Sequence, residues 1–143
     1  MFRRLESRDI DKLHFLLNYC QKDEEYFHPH SFDKRNLKKL VYQKHNDYFV
    51  LEEDNKIIGY SMLRTFRSFK KPTYGGIIDK DYRGKGYGES LLRNTLEKAK
   101  ELGFKNVLLK VHDKNSKAIK LYNKVGFREI KKVEKQYWME IDL

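Results

Sequence analysis

The segment of sequence that decides the fold is Ile77-Ile78-Asp79-Lys80-Asp81-Tyr82-Arg83-Gly84-Lys85-Gly86-Tyr87-Gly88. It continues a predicted strand, Thr73–Ile78, and leads into a helical pattern that begins at Glu89. Glycine on alternate residues removes the Cβ atoms that would keep a ligand away from the backbone. The first amides of a helix have no intrahelical partner, and together with the helix dipole they attract an oxyanion. The segment therefore predicts a phosphate-binding loop.

Several types of phosphate-binding loop can be compared with this segment. A Walker A loop requires Ser or Thr after Gly-Lys, whereas Gly86 follows Gly84-Lys85 here. A dinucleotide-binding loop requires Gly-x-Gly-x-x-Gly near the first strand and an acidic residue about 20 positions later, and the glycine spacing here differs and lies late in the chain. The pattern Arg-x-x-Gly-x-Gly fits Arg83, Gly86 and Gly88 without a gap. The sequence therefore favours this last type, and Arg83 and Lys85 add positive charge to it.

The rest of the chain alternates between helical and extended patterns. Apolar spacing predicts helices over residues 9–20, 33–45 and 116–124, and a longer helix from Glu89 to a stop at Gly103. Runs of β-branched and aromatic residues predict strands over 2–5, 47–51, 57–66, 73–78, 105–111, 127–132 and 137–141. A strand, a loop, a helix and a strand in succession imply a parallel crossover, and two hairpins imply antiparallel pairs elsewhere. We therefore predict an α/β fold with a mixed sheet.

A second motif lies downstream of the glycine loop, and its sequence is Asn115-Ser116-Lys117-Ala118-Ile119-Lys120-Leu121-Tyr122-Asn123-Lys124-Val125-Gly126-Phe127. Its pattern is Asn-x-x-Ala-x-x-Leu-Tyr-x-Lys-x-Gly-Phe. With both motifs, and with one helix and one strand between them, residues 73–127 resemble the GCN5-related N-acetyltransferase (GNAT) superfamily. The resemblance implies a GNAT-like mixed, mostly antiparallel sheet flanked by about four helices, with a splayed parallel pair at the cofactor site. It also implies acetyl-CoA as the cosubstrate.

The same resemblance implies a role for each matched residue. The amides of Arg83 to Gly88 would bind the pyrophosphate of acetyl-CoA, and the backbone of Ile77 and Ile78 would pair with its pantetheine arm like an added strand. Asn115 would donate a hydrogen bond to the same arm. Tyr122 would face the sulfur and protonate the leaving thiolate, whereas without the motif it would be interpreted as a core aromatic residue. No metal site is predicted.

The motifs do not identify the base that deprotonates the attacking amine. The strand Thr73–Ile78 contains no carboxylate, and Tyr74 is its one titratable side chain. His30 and His28 are candidates for the base or the acceptor pocket, because the resemblance implies that the region between the first two helices lines that pocket. A packed surface loop explains the same segment equally well, and His112 is a third candidate that a surface loop after a strand also explains. The aromatic residues that flank His28 and His30 are Tyr26, Phe27 and Phe32.

The composition limits the architecture of the protein. The 143 residues suit one domain, 1–143, with a hydrophobic core. The one cysteine, Cys20, lies in an apolar run, which predicts a buried thiol and excludes an intrachain disulfide. No apolar run approaches about 18 residues, so no membrane-spanning helix is predicted and a cytoplasmic location is expected.

The formal net charge of +10 bears on the acceptor. A positive surface disfavours a polycationic acceptor such as a polyamine and favours an acidic or phosphorylated one. We therefore expect a primary amine of a small molecule, with an amino sugar or a nucleotide-linked amino sugar as the first choice and the amine of a protein or peptide as the alternative. A basic nucleic-acid-binding module, for which no motif is recognised, and a CoA-binding module without activity are the other classes. The sequence is compatible with a monomer or a homodimer.

Overall fold

The computed structural model describes residues 1–21, 27–65 and 71–143. Its strands are β1 (Phe2–Arg4), β2 (Asn46–Glu53), β3 (Lys56–Arg64), β4 (Thr73–Ile78), β5 (Asn106–His112), β6 (Arg128–Val133) and β7 (Gln136–Asp142). Its helices are α1 (Ile10–Cys20), α2 (Lys34–Leu40), α3 (Tyr87–Glu101) and α4 (Ser116–Val125). Within these residues the strands form one 7-stranded sheet in the order β1-β2-β3-β4-β5-β7-β6.

Strands β4 and β5 form a parallel pair in a sheet whose other neighbours are antiparallel. Within the described residues, the register between them contains the single pair Thr73 and Leu108. The Leu108 amide also donates to the Pro72 carbonyl at 2.9 Å. Beyond this point the two strands are no longer paired, so a gap opens between their carboxyl-terminal halves. The predicted mixed, mostly antiparallel sheet with a splayed parallel pair and flanking helices is confirmed.

The helices cover the two faces of the sheet unequally. Helices α1 and α2 pack on one face, where Leu13, Leu37 and Tyr60 have no exposed surface. Helices α3 and α4 pack on the other face, where α3 lies over β3 and β4 and the core around Leu92 and Leu109 extends to β5 and β7. Among the described residues, the core beneath α1 and α2 has no member from β5, β6 or β7. No helix of the described residues therefore covers the side of β5, β7 and β6 that points away from α3 and α4, and we call this side the open face of the sheet.

A β-bulge in β6 sets which of its side chains point to the open face. In the register with β7, Arg128 lies opposite Glu140 and Glu129 lies opposite Met139. The register then skips Ile130, and Lys131 lies opposite Trp138. Met139 belongs to the core beneath α3 and α4, so Glu129 shares that side of the sheet. Side chains on paired residues share one face. Because of the bulge, Lys131 therefore shares the open face with Trp138.

The second helix is shorter than the sequence predicts. The pattern predicts a helix over 33–45, whereas α2 ends at Leu40. The Gln43 amide donates to the Leu40 carbonyl at 3.3 Å, which is the tighter spacing of a 3-10 turn. The Gln43 side chain then accepts a hydrogen bond from the Tyr48 hydroxyl at 2.7 Å. This contact with the following strand, which local spacing does not reveal, draws the chain out of the helix.

The Cys20 side chain is fully buried in the core beneath α1 and α2, which confirms the predicted buried thiol. The predicted extension of the third strand to Phe66 lies outside the described residues. No helix in the described part of the chain is long and apolar enough to cross a bilayer.

Candidate active site

The gap between β4 and β5 exposes backbone groups of β4. The Pro72 carbonyl points toward β5, and backbone groups alternate in direction along a strand, so those of Gly76 and Ile78 point into the gap. The backbone of Ile77 points to the opposite side and pairs with Tyr60 of β3. An extended ligand in the gap would therefore meet the backbone of Gly76 and the amide of Ile78, whereas the Ile78 carbonyl already accepts from the Arg83 guanidinium at 3.0 Å. The predicted contacts of Ile77 and Ile78 with the cofactor stay a prediction, and Gly76 is added to it because only the pairing of β4 fixes the direction of this alternation.

The glycine loop follows the end of β4 and presents its backbone to solvent. The Asp79 side chain accepts from the Asp81 amide at 2.9 Å, which starts a 3-10 turn over Lys80–Tyr82. Gly84 and Gly86 then have φ values of 76° and 88°, in the left-handed region where residues with a Cβ are strained. A Cβ on either glycine would meet no atom within 4 Å, so conformation rather than crowding requires glycine there.

The amino-terminal end of α3 supplies amides to this loop. The Gly86 carbonyl accepts from the Ser90 amide at 3.1 Å, so the amides of Tyr87, Gly88 and Glu89 precede the first helical hydrogen bond and have no acceptor within the helix. The helix has 15 residues, which is long enough to carry a substantial dipole. The residues from Arg83 to Gly86 are exposed. The predicted anion site thus has oriented amides, a helix dipole and the positive side chains of the loop in one place.

The Tyr122 ring, carried by α4, packs between Tyr74 of β4 and Phe127 at the end of the second motif. Its centroid is 6.4 Å from that of Tyr74 and 5.7 Å from that of Phe127, both in edge-to-face arrangements. An ion pair at 2.6 Å between Lys124 on α4 and Glu89 at the start of α3 links the two helices. The helix that carries Tyr122 is therefore tied to the helix end that supplies the loop amides.

The hydroxyl of Tyr74 occupies the space above Gly76. A Cβ on Gly76 would overlap that hydroxyl, so glycine is required for the ring to lie along the strand. Burial, and secondarily the neighbouring Tyr122, raise the pKa of Tyr74 well above its usual value. Tyr74 therefore stays a neutral phenol at physiological pH, which excludes it as the base and leaves it able to donate a hydrogen bond.

Asn115 begins the second motif at the amino-terminal end of α4. It is the residue that precedes the helix, and its side chain makes no capping hydrogen bond there. Its amide donates to the carbonyl of His112 at 2.9 Å, which fixes the turn between β5 and α4. Its half-buried side chain therefore does not cap the helix. The hydrogen bond from Asn115 to the cofactor arm stays a prediction.

His30 lies inside an aromatic cluster and not in open solvent. Its Nδ1 is 2.8 Å from the Ser31 carbonyl, which can only accept, so Nδ1 carries the proton and Nε2 accepts from the Tyr60 hydroxyl at 2.9 Å. The rings of Phe32, Tyr48 and Tyr60 surround it at centroid distances of 5.6, 6.3 and 5.9 Å. Burial lowers the pKa of His30 below its ordinary value. The imidazole is therefore neutral at physiological pH and anchors its segment to the sheet.

We expect protein stability to fall on acidification because of His30. The pKa of His30 is lowered in the folded protein and is about 6.5 when unfolded, so its contribution is complete above about pH 6.5 and is lost as the pH falls through the folded value. Urea unfolding at about pH 7.5 and about pH 5.5 measures this contribution. His30→Gln should lose about 1–3 kcal/mol at the higher pH and show a smaller pH dependence than the parent protein. The matched control is His28→Gln, and equal pH dependence in the two variants would contradict the assignment.

Phe27 and His28 lie on the same segment as His30. His28 is exposed, and the Arg64 guanidinium donates to the Pro29 carbonyl at 2.5 Å, which holds the segment against β3. A Cβ on Gly75 of β4 would be 3.7 Å from the Phe27 ring. Residues 27–30 thus form a wall beside the middle of β4, on the face opposite α3. Tyr26, which also flanks the two histidines in the sequence, lies outside the described residues.

His112 closes β5 on the open face. Its Nδ1 accepts from the Lys114 amide at 3.1 Å and is 3.3 Å from the Asp113 carboxylate. These contacts hold the ring at the turn that follows the strand. The structure therefore places His112 apart from the segment that carries His28 and His30, and its role as a base stays a prediction. In the described residues, no group of three or more His, Cys, Asp and Glu could hold a metal ion.

Comparison with known proteins identifies the class of protein that this fold and gap define. The sequence profile of the Acetyltransferase (GNAT) family matches residues 13–127. An N-alpha-acetyltransferase of Sulfurisphaera tokodaii is 32% identical, and the match covers 94% of this chain and 84% of that protein. The chain therefore belongs to the GNAT family of acetyltransferases. It is an N-acetyltransferase whose cosubstrate is acetyl-CoA, as the two motifs predict.

Solved structures agree with the fold. The ribosomal-protein-alanine N-acetyltransferase of Brucella melitensis superposes with a TM-score of 0.87 at 19% identity, covering 100% of this chain and 99% of that one. The PaiA N-acetyltransferase of Thermoplasma acidophilum, solved in complex with coenzyme A, gives a TM-score of 0.86 at 20% identity, covering 100% and 98%. At these identities the similarity is one of fold.

Proposed function

We propose that the acceptor is the α-amine at the amino terminus of a protein or peptide. The observation that carries this proposal is the open face, which begins at the β4–β5 gap and leaves room for a polypeptide to continue beyond the reacting amine. The name of the Sulfurisphaera tokodaii relative, an N-alpha-acetyltransferase, supports the same acceptor class. Among the described residues, the segment 27–30 forms a wall on one side of the gap and leaves the side of the open face accessible.

The residues of this chain have separate tasks in the proposed reaction. Acetyl-CoA supplies a thioester whose carbonyl carbon an uncharged amine can attack, with a thiolate as the leaving group. The amides of Tyr87, Gly88 and Glu89 would hold the pyrophosphate, and the backbone of Gly76 and Ile78 would align the extended arm. An amide of β4 that points into the gap would donate to the oxyanion that develops on the carbonyl oxygen.

Proton transfer in the proposed reaction begins and ends on different side chains. Tyr122 would donate its hydroxyl proton to the departing sulfur, at the side of the gap below α4. The attacking amine must lose a proton on the opposite side, where residues 27–30 lie. His30 is neutral there but already accepts from Tyr60, whereas His28 reaches solvent. We therefore propose His28, directly or through water, as the group that accepts this proton.

The acceptor class can be tested with a panel of amines. Free thiol released from acetyl-CoA is measured with a peptide that has a free α-amine, the same peptide with a blocked amino terminus and an internal lysine, glucosamine, a nucleotide-linked amino sugar and a polyamine. We expect turnover with the free peptide and mass-spectrometric acetylation of its α-amine. Turnover with an amino sugar and none with any peptide would reject the proposal and favour the small-molecule acceptor that the sequence suggested first.

A further inference from the structure

The open face carries a groove that the proposed function does not yet use. The groove has a volume of about 770 Å³ and is lined by Lys110, His112, Trp138 and residues 133–136. Its floor is formed by β5 and β7, and its end by the turn between β6 and β7. All of β6 is exposed, so the groove is accessible from the side of Lys131.

A row of cations crosses this face. In the register of the sheet, Lys110 of β5 lies opposite Trp138 of β7, and Trp138 lies opposite Lys131 of β6. The three side chains are therefore neighbours on three adjacent strands. Each ammonium group lies 5.4 Å from a Trp138 ring centroid. Among the described residues, neither Lys110 nor Lys131 forms an ion pair with a carboxylate. The row therefore offers two positive charges and an aromatic surface to a ligand.

The carboxylates near this row do not cancel its charge. Glu140 lies two residues after Trp138 on β7. It is buried, and its carboxylate forms ion pairs with Lys71 at 2.7 Å and with Arg128 at 2.8 Å. Its charge is therefore already balanced by two cations. Glu134 lies at the turn that ends the groove, where Lys135 is its neighbour. Among the residues that the structure describes, no other carboxylate lines the groove, so its middle is positive and charge complementarity favours an acidic occupant.

The row is continuous with the gap that holds the thioester in the proposed function. Leu108 is the last β5 residue in register with β4. Lys110 follows it by two residues, so the side chains of Leu108 and Lys110 lie on the same face of the sheet, which is the open face. Lys131 lies two strands further away, which is about 9–10 Å at the usual strand spacing. An extended polypeptide covers that distance with about three residues. An acceptor whose α-amine enters the gap would therefore bring its next residues over Lys110 and then Lys131.

We infer that the row Lys110, Trp138 and Lys131 selects acceptor polypeptides that carry Asp or Glu close behind their first residue. This inference rests on the proposed function, since it requires a polypeptide acceptor. The lysine ammonium groups bind the acceptor carboxylates, and the indole ring supports the aliphatic parts of the same side chains. The proposed preference concerns the charge of the acceptor residues that follow the first one, and does not concern which residue carries the α-amine.

The test compares three peptides that share the first residue. Their next three residues are all Glu in one peptide, all Gln in the second and all Lys in the third. Initial rates with acetyl-CoA give kcat/KM for each peptide. We expect the Glu peptide to be preferred over the Gln peptide, and Lys131→Gln to reduce this preference about twofold to fivefold, the effect of one exposed ion pair. Lys131→Glu should reverse the preference in favour of the Lys peptide. The changes should appear in KM, and the preference should shrink as salt rises from about 50 to about 500 mM.

A matched variant separates the local row from the charge of the whole protein. Lys100 is exposed near the end of α3, on the other face of the sheet. Lys100→Glu changes the net charge as Lys131→Glu does, and should leave the peptide preference as it is. Equal preferences in these two variants, or equal rates with Glu and Gln peptides in the parent protein, would overturn the inference and leave the proposed function intact. Acetylation of no peptide at all would overturn both.

Discussion

Replacement of Tyr122 by Phe should lower the turnover number about a hundredfold or more, the usual contribution of a positioned proton donor. The ring would keep its packing against Tyr74 and Phe127, because only the hydroxyl oxygen is removed. Without that hydroxyl, the thiolate must leave unprotonated or take its proton from water. The affinity for acetyl-CoA should change little, because the proposed pyrophosphate site consists of backbone amides at the start of α3.

The measurement is the turnover number at saturating acetyl-CoA, together with the dissociation constant of the cofactor from calorimetry. Tyr137→Phe is the matched control, because Tyr137 packs against the same core and its hydroxyl is not assigned a role. Its turnover number should remain near that of the parent protein. If Tyr122→Phe retains full turnover, Tyr122 is a core aromatic residue and the acid must be sought elsewhere, with the neutral Tyr74 as the nearest phenol.

Replacement of Gly86 by Ala should weaken acetyl-CoA binding about tenfold to a hundredfold. Gly86 has a φ of 88° directly before α3, so a Cβ both strains the backbone and turns the first amides of the helix away from the phosphate. Loss of one hydrogen bond to a charged group costs about 1.5–3 kcal/mol, which gives that range of affinity. The dissociation constant for acetyl-CoA is measured by calorimetry.

Gly103→Ala provides the control for backbone strain. Gly103 follows the end of α3 and has a φ of 89°, and a Cβ there would likewise meet no atom within 4 Å. Both variants should lose about 1 kcal/mol of unfolding free energy, because both force alanine into the left-handed region. Only Gly86→Ala should lose affinity for the cofactor. Equal affinities in the two variants would show that the loop does not bind the pyrophosphate.

The parts of the site that the sequence predicts are those encoded over a few neighbouring residues. The Arg83–Gly88 loop depends on glycine spacing, the positive φ of Gly86 and a helix start, all of which are local. The Asn115–Phe127 segment is local in the same way. Both could be recognised without knowing which strands pair, and the confirmed fold and cofactor follow from them.

The parts that the sequence does not predict depend on contacts between distant segments. The burial that lowers the pKa of His30 involves Tyr60 from β3, whose ring lies 5.9 Å from the imidazole and which is 30 residues away in the chain. The exposure of Gly76 to the gap requires the pairing of β4 with β3. The acceptor was predicted from net charge alone, which carries no information on where the charge lies.

The bulge at Ile130 has a consequence for how acceptor selection can change among related chains. With an uninterrupted ladder, Ile130 would stand opposite Trp138 and Lys131 would point toward α4, because one step of register reverses every side chain of a strand. The charge beside the indole ring thus depends on a single extra residue in β6. A lineage could therefore lose the cation beside the indole ring if the bulge moved along β6 past Lys131, while every lysine in its sequence is retained.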